Sequence, residues 1–275
     1  MTGSADAPER AISCVVEPEI DLVAPAFRHD GIDVYVCPSC GTLVSDAAYD
    51  PEQYDESYYT IASDDLDAIE QRWGFRWRYV LDGIADRCPA GASILDVGAG
   101  NGLFTKLAVE EYGFVATGLE VSEESARFAD SVLGVELLVG DVADHDGTYD
   151  VVTAFSVIEH VADPAGMLSQ LTARLRPGGL LVVATPNPGC IQRRVKGIRR
   201  WGMVCPPHHL NIFTSRGLER LLARAGFTVV HRETISTSVK AVEPIDTSGQ
   251  LLRRAVFRGL RAMGLGADQL VFSTR

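Results

Sequence analysis

The chain has 275 residues, of which 46% are hydrophobic and 23% are charged, so its composition is that of an ordinary globular protein. No apolar run approaches the roughly 20 residues of a membrane helix, and the first ten residues lack the apolar core of a signal peptide. The net charge of −12 opposes non-specific attraction to nucleic acid. We therefore expect a cytoplasmic protein that binds no membrane and for which nucleic acid is the less favoured substrate.

The N-terminal part carries a cysteine pair with the spacing of a metal-binding knuckle. Short β-type runs lie on both sides of Cys37 and Cys40, as they do where a knuckle joins two strands. A tetrahedral site would also need Cys14 and either Glu17 or His29 as ligands. Three cysteines and one carboxylate are an unusual ligand set for zinc, so we expect a knuckle that holds no metal.

After the knuckle, helix and strand patterns alternate along the chain. Apolar residues recur at helical spacing across residues 65–87. The predicted strands are residues 93–97, 115–119, 135–139, 150–155, 180–184, 228–230 and 269–274. The predicted helices between them are residues 103–111, 123–132, 164–175 and 215–225, and Ser122 and Asp163 are the expected N-caps of the second and third.

This alternation predicts an α/β fold, a Rossmann-like sheet of seven mostly parallel strands with helices on both faces. A small N-terminal module is added to it. We expect residues 1–64 to form an N-terminal arm with the cysteine knuckle and residues 65–275 to form the main domain.

The sequence ILDVGAGNGLF at residues 94–104 is the strongest local signal. A buried strand ends in glycines at positions 98, 100 and 102 and is followed by a helix, so that a ligand can approach the backbone at a helix N-terminus. A dinucleotide-binding loop would need a third glycine where this chain has Leu103. The loop therefore predicts a ligand without a diphosphate to be held, which disfavours a dehydrogenase.

In this loop and in the segments that follow it, the chain resembles the class I S-adenosylmethionine-dependent methyltransferases. Glu120 ends the second predicted strand, where this family has the acidic residue that binds both ribose hydroxyls. The resemblance implies S-adenosylmethionine as cofactor. The positions that match the family's cofactor-binding residues are Asp96, Gly98, Ala99, Gly100, Asn101, Gly102, Glu120, Val121, Asp141, Val142, Phe155 and Ser156.

The resemblance covers about residues 79–275 and is strongest to small-molecule enzymes like the O-methyltransferases of ubiquinone biosynthesis. These share the IEHV segment at residues 158–161 and the PHHLNIFT segment at residues 207–214. Related enzymes with an N-terminal cysteine module also have tyrosines after it that close over the methionine end of the cofactor. The same role is implied here for Tyr59.

Three histidines are candidates for the catalytic base. The electrophilic methyl group of the cofactor mainly requires an acceptor held in line, and a general base adds to this when the acceptor must lose a proton. Some sugar C-methyltransferases have a catalytic Glu-His pair where this chain has His208 and His209, although the glutamate is absent here. We rank His209 first, followed by His160, which comes directly after the fourth predicted strand, and His208. Each could instead be a structural histidine.

Together these features predict a methyltransferase with a small-molecule acceptor, in which O-methylation is favoured and N- or C-methylation stays open. An RNA base methyltransferase is the first alternative, because a cysteine knuckle also precedes this fold in ribosomal RNA enzymes. The acidic charge balance and the absence of an NPPY-like motif at residues 155–158 disfavour it. A non-catalytic cofactor-binding scaffold is the second alternative.

Overall fold

The computed structural model describes residues 12–48, 66–236 and 247–275, without the side chains of residues 247–254. Tyr59 and the predicted boundary between residues 64 and 65 lie outside the described residues. In the part of the chain that is described, no helix combines the length and the apolar character needed to span a bilayer.

The described residues form thirteen strands and eight α-helices. The strands are β1 (Ile12–Ser13), β2 (Asp21–Leu22), β3 (Phe27–His29), β4 (Ile32–Val36), β5 (Leu43–Ser45), β6 (Ser93–Val97), β7 (Val115–Glu120), β8 (Leu138–Val139), β9 (Tyr149–Phe155), β10 (Leu175–Pro186), β11 (Asn211–Ile212), β12 (Thr228–Ile235) and β13 (Asp268–Thr274). The helices are α1 (Leu66–Ile69), α2 (Phe75–Ala85), α3 (Leu103–Glu110), α4 (Glu123–Phe128), α5 (Pro164–Ala173), α6 (Ile191–Lys196), α7 (Ser215–Arg224) and α8 (Thr247–Ala262).

The main sheet has seven strands in the order β12-β13-β10-β9-β6-β7-β8. The pairs from β10 to β8 are parallel, and β13 runs antiparallel to both β10 and β12. Successive residues of β6 point to opposite faces. Ile94 packs in one buried cluster with Leu103 of α3, whereas Leu95 packs in the other with Leu168 of α5 and Leu222 of α7. The predicted α/β fold, with helices on both faces of a mostly parallel sheet, is confirmed.

The N-caps that the sequence predicts for two helices are present. The Ser122 hydroxyl accepts a hydrogen bond from Ser125 N at 3.2 Å before α4, and Asp163 accepts one from Gly166 N at 2.9 Å before α5. Each cap satisfies one of the backbone N–H groups that a helix leaves without an internal partner.

Several predicted boundaries are wrong. The fifth strand of the sheet begins at Leu175 and not at residue 180, because Gly178, at a φ of 75°, lets the chain form a bulge and stay in the strand. The third predicted strand, residues 135–139, is shorter in the structure, where only β8 is a strand. Leu137 before it packs into a small cluster with Ala99 and Ala126. The strand after α7 continues to Ile235, because β12 is an edge strand and tolerates the polar residues that hid it in the sequence.

Strands β1 and β2 pair in a separate two-stranded sheet, while β3, β4 and β5 form a second sheet that includes a piece of the main domain. Its order is β11-β5-β4-β3, and Asn211 pairs with Val44 while Ile212 pairs with Leu43. The two strands that flank the knuckle, β4 and β5, pair antiparallel as predicted. The N-terminal module is thus joined to the main domain by backbone hydrogen bonds.

Candidate functional site

The glycine loop and Glu120 meet at the carboxyl edge of the main sheet. The loop follows β6 and Glu120 ends the adjacent strand β7. The Glu120 carboxylate accepts hydrogen bonds from Gly100 N at 2.7 Å and from Ser122 N at 3.0 Å. Glu120 is only 2% exposed, and these two backbone donors fix the position of its side chain. Two motifs that are 20 residues apart therefore form one site.

The loop backbone leaves room for a ligand beside this carboxylate. Gly98, Gly100 and Gly102 have φ values of 72°, 56° and 79°, which glycine adopts without strain. A Cβ on Gly98 would lie 2.6 Å from the Val157 side chain, whereas a Cβ on Gly100 would meet no atom within 4 Å. Open space next to a fixed carboxylate suits a nucleoside with two ribose hydroxyls, so these residues fit S-adenosylmethionine.

Asp96 belongs to the loop motif but points into the protein. Its side chain accepts a hydrogen bond from Thr153 at 2.7 Å, and the residue is 2% exposed. Burial raises the pKa of Asp96 to about 7, an effect that the Thr153 hydrogen bond partly offsets. We therefore expect Asp96 to act on the cofactor site by holding the start of the loop through Thr153 of β9.

The other positions that match the cofactor-binding motifs lie at the same edge of the sheet. Asp141 caps a short turn by accepting a hydrogen bond from Ala143 N at 2.8 Å, and Val142 behind it is 3% exposed. Ser156, at a φ of 55°, turns the chain sharply after β9. The remaining positions range from buried Ala99 and Phe155 through partly buried Asn101 to Val121, which is 58% exposed.

A second group of candidate functional side chains consists of Glu159, His160 and His209. One donor atom from each lies within 4.8 Å of the others, and the two imidazole rings are 4.8 Å apart between centroids. Glu159 is fully buried and accepts a hydrogen bond from Thr185 at 2.8 Å through Oε2. Its Oε1 has no hydrogen-bond partner among the described residues. The histidine segments that the sequence placed 49 residues apart are thus in contact.

Hydrogen bonds to backbone carbonyls define which nitrogen of each histidine is basic. Nδ1 of His160 lies 2.8 Å from the His208 carbonyl, and Nδ1 of His209 lies 2.7 Å from the Met203 carbonyl. Since a carbonyl only accepts, both Nδ1 atoms carry the proton and Nε2 is the proton acceptor in each ring. Burial lowers the pKa of His160 to about 4 and also lowers the pKa of His209, so both are neutral at pH 7.

Glu159 was not identified as a site residue from the sequence. The only signal was its place beside His160 directly after a buried strand. Burial raises the pKa of Glu159 to about 7, so it titrates near neutral pH beside two neutral imidazoles. His208 contributes its carbonyl to the cluster by orienting His160.

The knuckle brings four potential metal ligands together. Donor atoms of Cys14, Glu17, Cys37 and Cys40 lie within 4.8 Å of one another, and the sulfurs of Cys14 and Cys40 are 3.6 Å apart. His29, the alternative fourth ligand, is not part of this group. The hydrogen bond between the two thiols lowers the pKa of Cys40 and raises that of Cys14.

Glu17 in this cluster is already engaged by the main domain. Arg220 of α7 forms an ion pair with the Glu17 carboxylate and also donates to Ser39 at 2.8 Å. The Ser39 hydroxyl donates to Glu17 at 3.1 Å. Arg220 and Ser39 thus supply the Glu17 carboxylate with two side-chain donors.

A comparison with known families decides the classification. The sequence profile of a protein family described as a methyltransferase domain matches residues 71–232, which is more than half of the chain. The chain belongs to the class I S-adenosylmethionine-dependent methyltransferases. The matched range contains the glycine loop, Glu120 and all three candidate histidines.

Individual relatives of this methyltransferase are similar over part of their length. A ubiquinone biosynthesis O-methyltransferase of Caulobacter vibrioides is 34% identical over 40% of this chain and 47% of its own length. A probable S-adenosylmethionine-dependent methyltransferase of Mycolicibacterium smegmatis is 32% identical over 59% of this chain and 62% of its own length. The chain thus spans about half to three fifths of the length of these curated relatives.

A solved structure supports the fold. The S-adenosylmethionine-dependent methyltransferase of Mesorhizobium loti superposes with a TM-score of 0.52 over 72% of this chain and 96% of its own. With 21% sequence identity, the likeness concerns the fold alone.

Proposed function

We propose that this methyltransferase transfers the methyl group of S-adenosylmethionine to a small-molecule acceptor, with oxygen as the favoured acceptor atom. The observation that carries the proposal is the open position at Gly100 beside the fixed Glu120 carboxylate. The relatives named as O-methyltransferases of ubiquinone biosynthesis support oxygen as the acceptor atom. The net charge of −12 supports a small molecule over RNA.

When bound, the cofactor supplies a methyl group that is already electrophilic because it is attached to a sulfonium. The main task of the protein is to hold the acceptor in line with that methyl group, and such positioning lowers a barrier by about 7–11 kcal/mol. Removal of a proton from the acceptor by a side chain adds about 10²–10⁴-fold to the rate. Positioning is therefore the larger contribution.

His209 is the best candidate for the base. Its Nδ1 proton is committed to the Met203 carbonyl, which directs Nε2 to accept a proton. Glu159 lies beside it, and the attraction between the carboxylate and an imidazolium favours the protonated state that follows proton removal. His160 is more strongly opposed to protonation, since burial lowers its pKa to about 4. We assign His160 to the support of His209 by ring contact.

The test is transfer of a tritiated methyl group from S-adenosylmethionine to a panel of phenols, amines and carboxylic acids, with total RNA as a separate acceptor. We expect label in the small-molecule fraction and none in RNA. Replacing His209 by alanine should lower turnover about 10²-fold or more while cofactor affinity changes only a few-fold. Added imidazole should restore part of the lost rate, because it supplies the missing base.

His160→Ala is the matched control, since it removes a neighbouring imidazole of similar burial. Label in RNA alone would contradict the small-molecule proposal. Full turnover of the His209→Ala variant at saturating acceptor, together with loss in the His160→Ala variant, would reverse the assignment of the base.

A further inference from the structure

A cavity of about 290 Å³ lies between α2, the end of β12 and α8. Its walls combine aromatic rings and arginines, namely Phe75, Tyr79, Phe257, Arg76, Arg258 and Arg261. Its volume is at the lower limit of small-molecule sites, which occupy roughly 300–1,000 Å³. The cavity is thus large enough for part of a small ligand.

The charge of this cavity is one-sided. Among the described residues that line it, three are arginines and none is an aspartate or glutamate. Arg76 is paired with Asp268 at 2.6 Å, and Glu233 lies 3.8 Å from Arg261 and accepts a hydrogen bond from Tyr79. Arg258 is exposed and forms no ion pair with any described residue. Among the described residues, Arg258 is thus the arginine of this wall that an anionic group would neutralise.

One donor in the wall lacks a partner. Arg76 is 7% exposed, and its Nε has no hydrogen-bond partner among the described residues. A buried donor without an acceptor is costly, and most such groups in native proteins are satisfied by protein, water or ligand. An oxygen of a ligand in the cavity would provide the acceptor with a small rotation of the side chain.

The cavity lies at the same edge of the sheet as the glycine loop. In the register of the sheet, Ile235 and Pro186 both face Asp268, so the end of β12 lies level with the end of β10. Helix α2 connects the two regions. Trp77, next to Arg76, contacts Phe155 with ring centroids 5.1 Å apart. A molecule in this cavity would thus lie on the same side of the sheet as the glycine loop.

We propose that this cavity binds the anionic part of the acceptor, a carboxylate or phosphate carried on an apolar ring. Arg258 and Arg261 would bind the anionic oxygens, since a guanidinium presents paired donors to such groups. Tyr79 would pack against the apolar ring of the ligand. The guanidinium of Arg261 already lies over the Tyr79 ring, 4.7 Å from its centroid. This acceptor class rests on the proposed methyl transfer, whereas the anion site itself does not.

The test is direct binding of benzoate, phenyl phosphate and neutral benzyl alcohol to the full chain, measured by calorimetry at two salt concentrations. We expect the two anions to bind more tightly than the alcohol and to weaken at high salt. Arg258→Gln should weaken anion binding about tenfold, and Arg258→Lys should keep much of it. Arg127→Gln is the control, because Arg127 is also an exposed arginine and lies on a different helix, α4.

S-adenosylmethionine binding is measured on the same samples to separate the two proposals. Anion binding that is lost with Arg258→Gln and kept with Arg127→Gln supports the subsite, and preference for benzoate or phenyl phosphate identifies the anionic group. Equal binding of anions and alcohol, or no effect of Arg258→Gln, would overturn the subsite even if the cofactor binds. Absence of cofactor binding with intact anion binding would instead overturn the proposed methyl transfer.

Discussion

Burial determines the protonation of the Glu159, His160 and His209 cluster. A buried carboxyl resists ionisation and a buried imidazole resists protonation, so the pKa of Glu159 rises while those of the histidines fall. All three groups are thereby neutral over part of the range below pH 7. A neutral imidazole with a defined tautomer is the form that a base for methyl transfer requires.

The raised pKa of Glu159 predicts a pH-dependent stability. Its pKa rises from 4.5 in the unfolded chain to about 7 in the folded protein, so the folded state binds the proton more tightly. The stability from this group is complete below pH 4.5 and is lost as the pH rises through 7. The loss across this window amounts to about 3 kcal/mol, because one pKa unit corresponds to about 1.4 kcal/mol.

Glu159→Gln should remove this loss. The measurement is the free energy of unfolding by urea between pH 4.5 and 8 for the wild type and the variant. We expect the variant to gain stability relative to the wild type as the pH rises, with exposed Glu123→Gln as the control. Parallel pH profiles for the wild type and Glu159→Gln would show that the carboxyl titrates normally.

At the residue scale, the sequence predicted which residues lie at the edge of the sheet better than it predicted their burial and contacts. The glycines at 98, 100 and 102 and the acidic Glu120 could be predicted because each follows the end of a strand, and parallel strands end at one edge. The burial of Glu159 could not, since it depends on contacts with Thr185 and with a segment 50 residues away. The sequence also could not tell whether Glu17 or His29 lies beside the three cysteines. Glu17 does, and it pairs with Arg220, which is distant in sequence.

At the scale of elements, helix α7 holds the knuckle. Arg220 on its exposed side reaches the Glu17 carboxylate, while Thr214 at its N-cap donates to the Cys40 carbonyl at 2.6 Å. In a zinc knuckle, four strong ligands on one metal ion hold the loop in its fold. Here the contacts of Arg220 and Thr214 hold the loop against α7. We therefore expect the knuckle to keep its fold without metal.

Protein purified without chelators should contain well below one zinc per chain by elemental analysis, and a chelator should not change its melting temperature. Arg220→Ala should lower the melting temperature because Glu17 loses its cationic partner. Arg224→Ala is the control, since Arg224 lies one turn further on the same helix and pairs with exposed Glu19 at 3.4 Å. One zinc per chain that is lost with Cys37→Ser would instead make the knuckle a structural metal site.

The elements of the sheet core were predictable, and those at its margin were not. Strands β6, β9 and β13 are apolar runs whose bounds differ by at most one residue from the prediction. Only residues 228–230 of the edge strand β12 were predicted, because the rest of the strand carries polar residues, and α8, which has two glycines within its span, was not predicted. Strand β11 has only two residues, and its existence depends on pairing with β5.

At the scale of the whole molecule, one edge of the main sheet gathers every proposed site. The glycine loop and Glu120 follow β6 and β7, the histidine cluster follows β9 and precedes α7, and the arginine-lined cavity adjoins the end of β12. This follows from the fold, because the carboxyl ends of parallel strands form the ligand-binding side of such sheets. The N-terminal sheet joins the same side through β11, directly after His209.

The central claim is that S-adenosylmethionine binds between the glycine loop and Glu120. The most direct measurement is calorimetric titration of the wild type, Glu120→Ala and the control Glu123→Ala with S-adenosylmethionine. Each lost charge-assisted hydrogen bond costs about 1.5–3 kcal/mol, so Glu120→Ala should bind at least about tenfold more weakly. Glu123→Ala should bind like the wild type, since Glu123 is exposed and lies on α4. Unchanged affinity in Glu120→Ala, or tight binding of a nicotinamide dinucleotide by the wild type, would contradict the account.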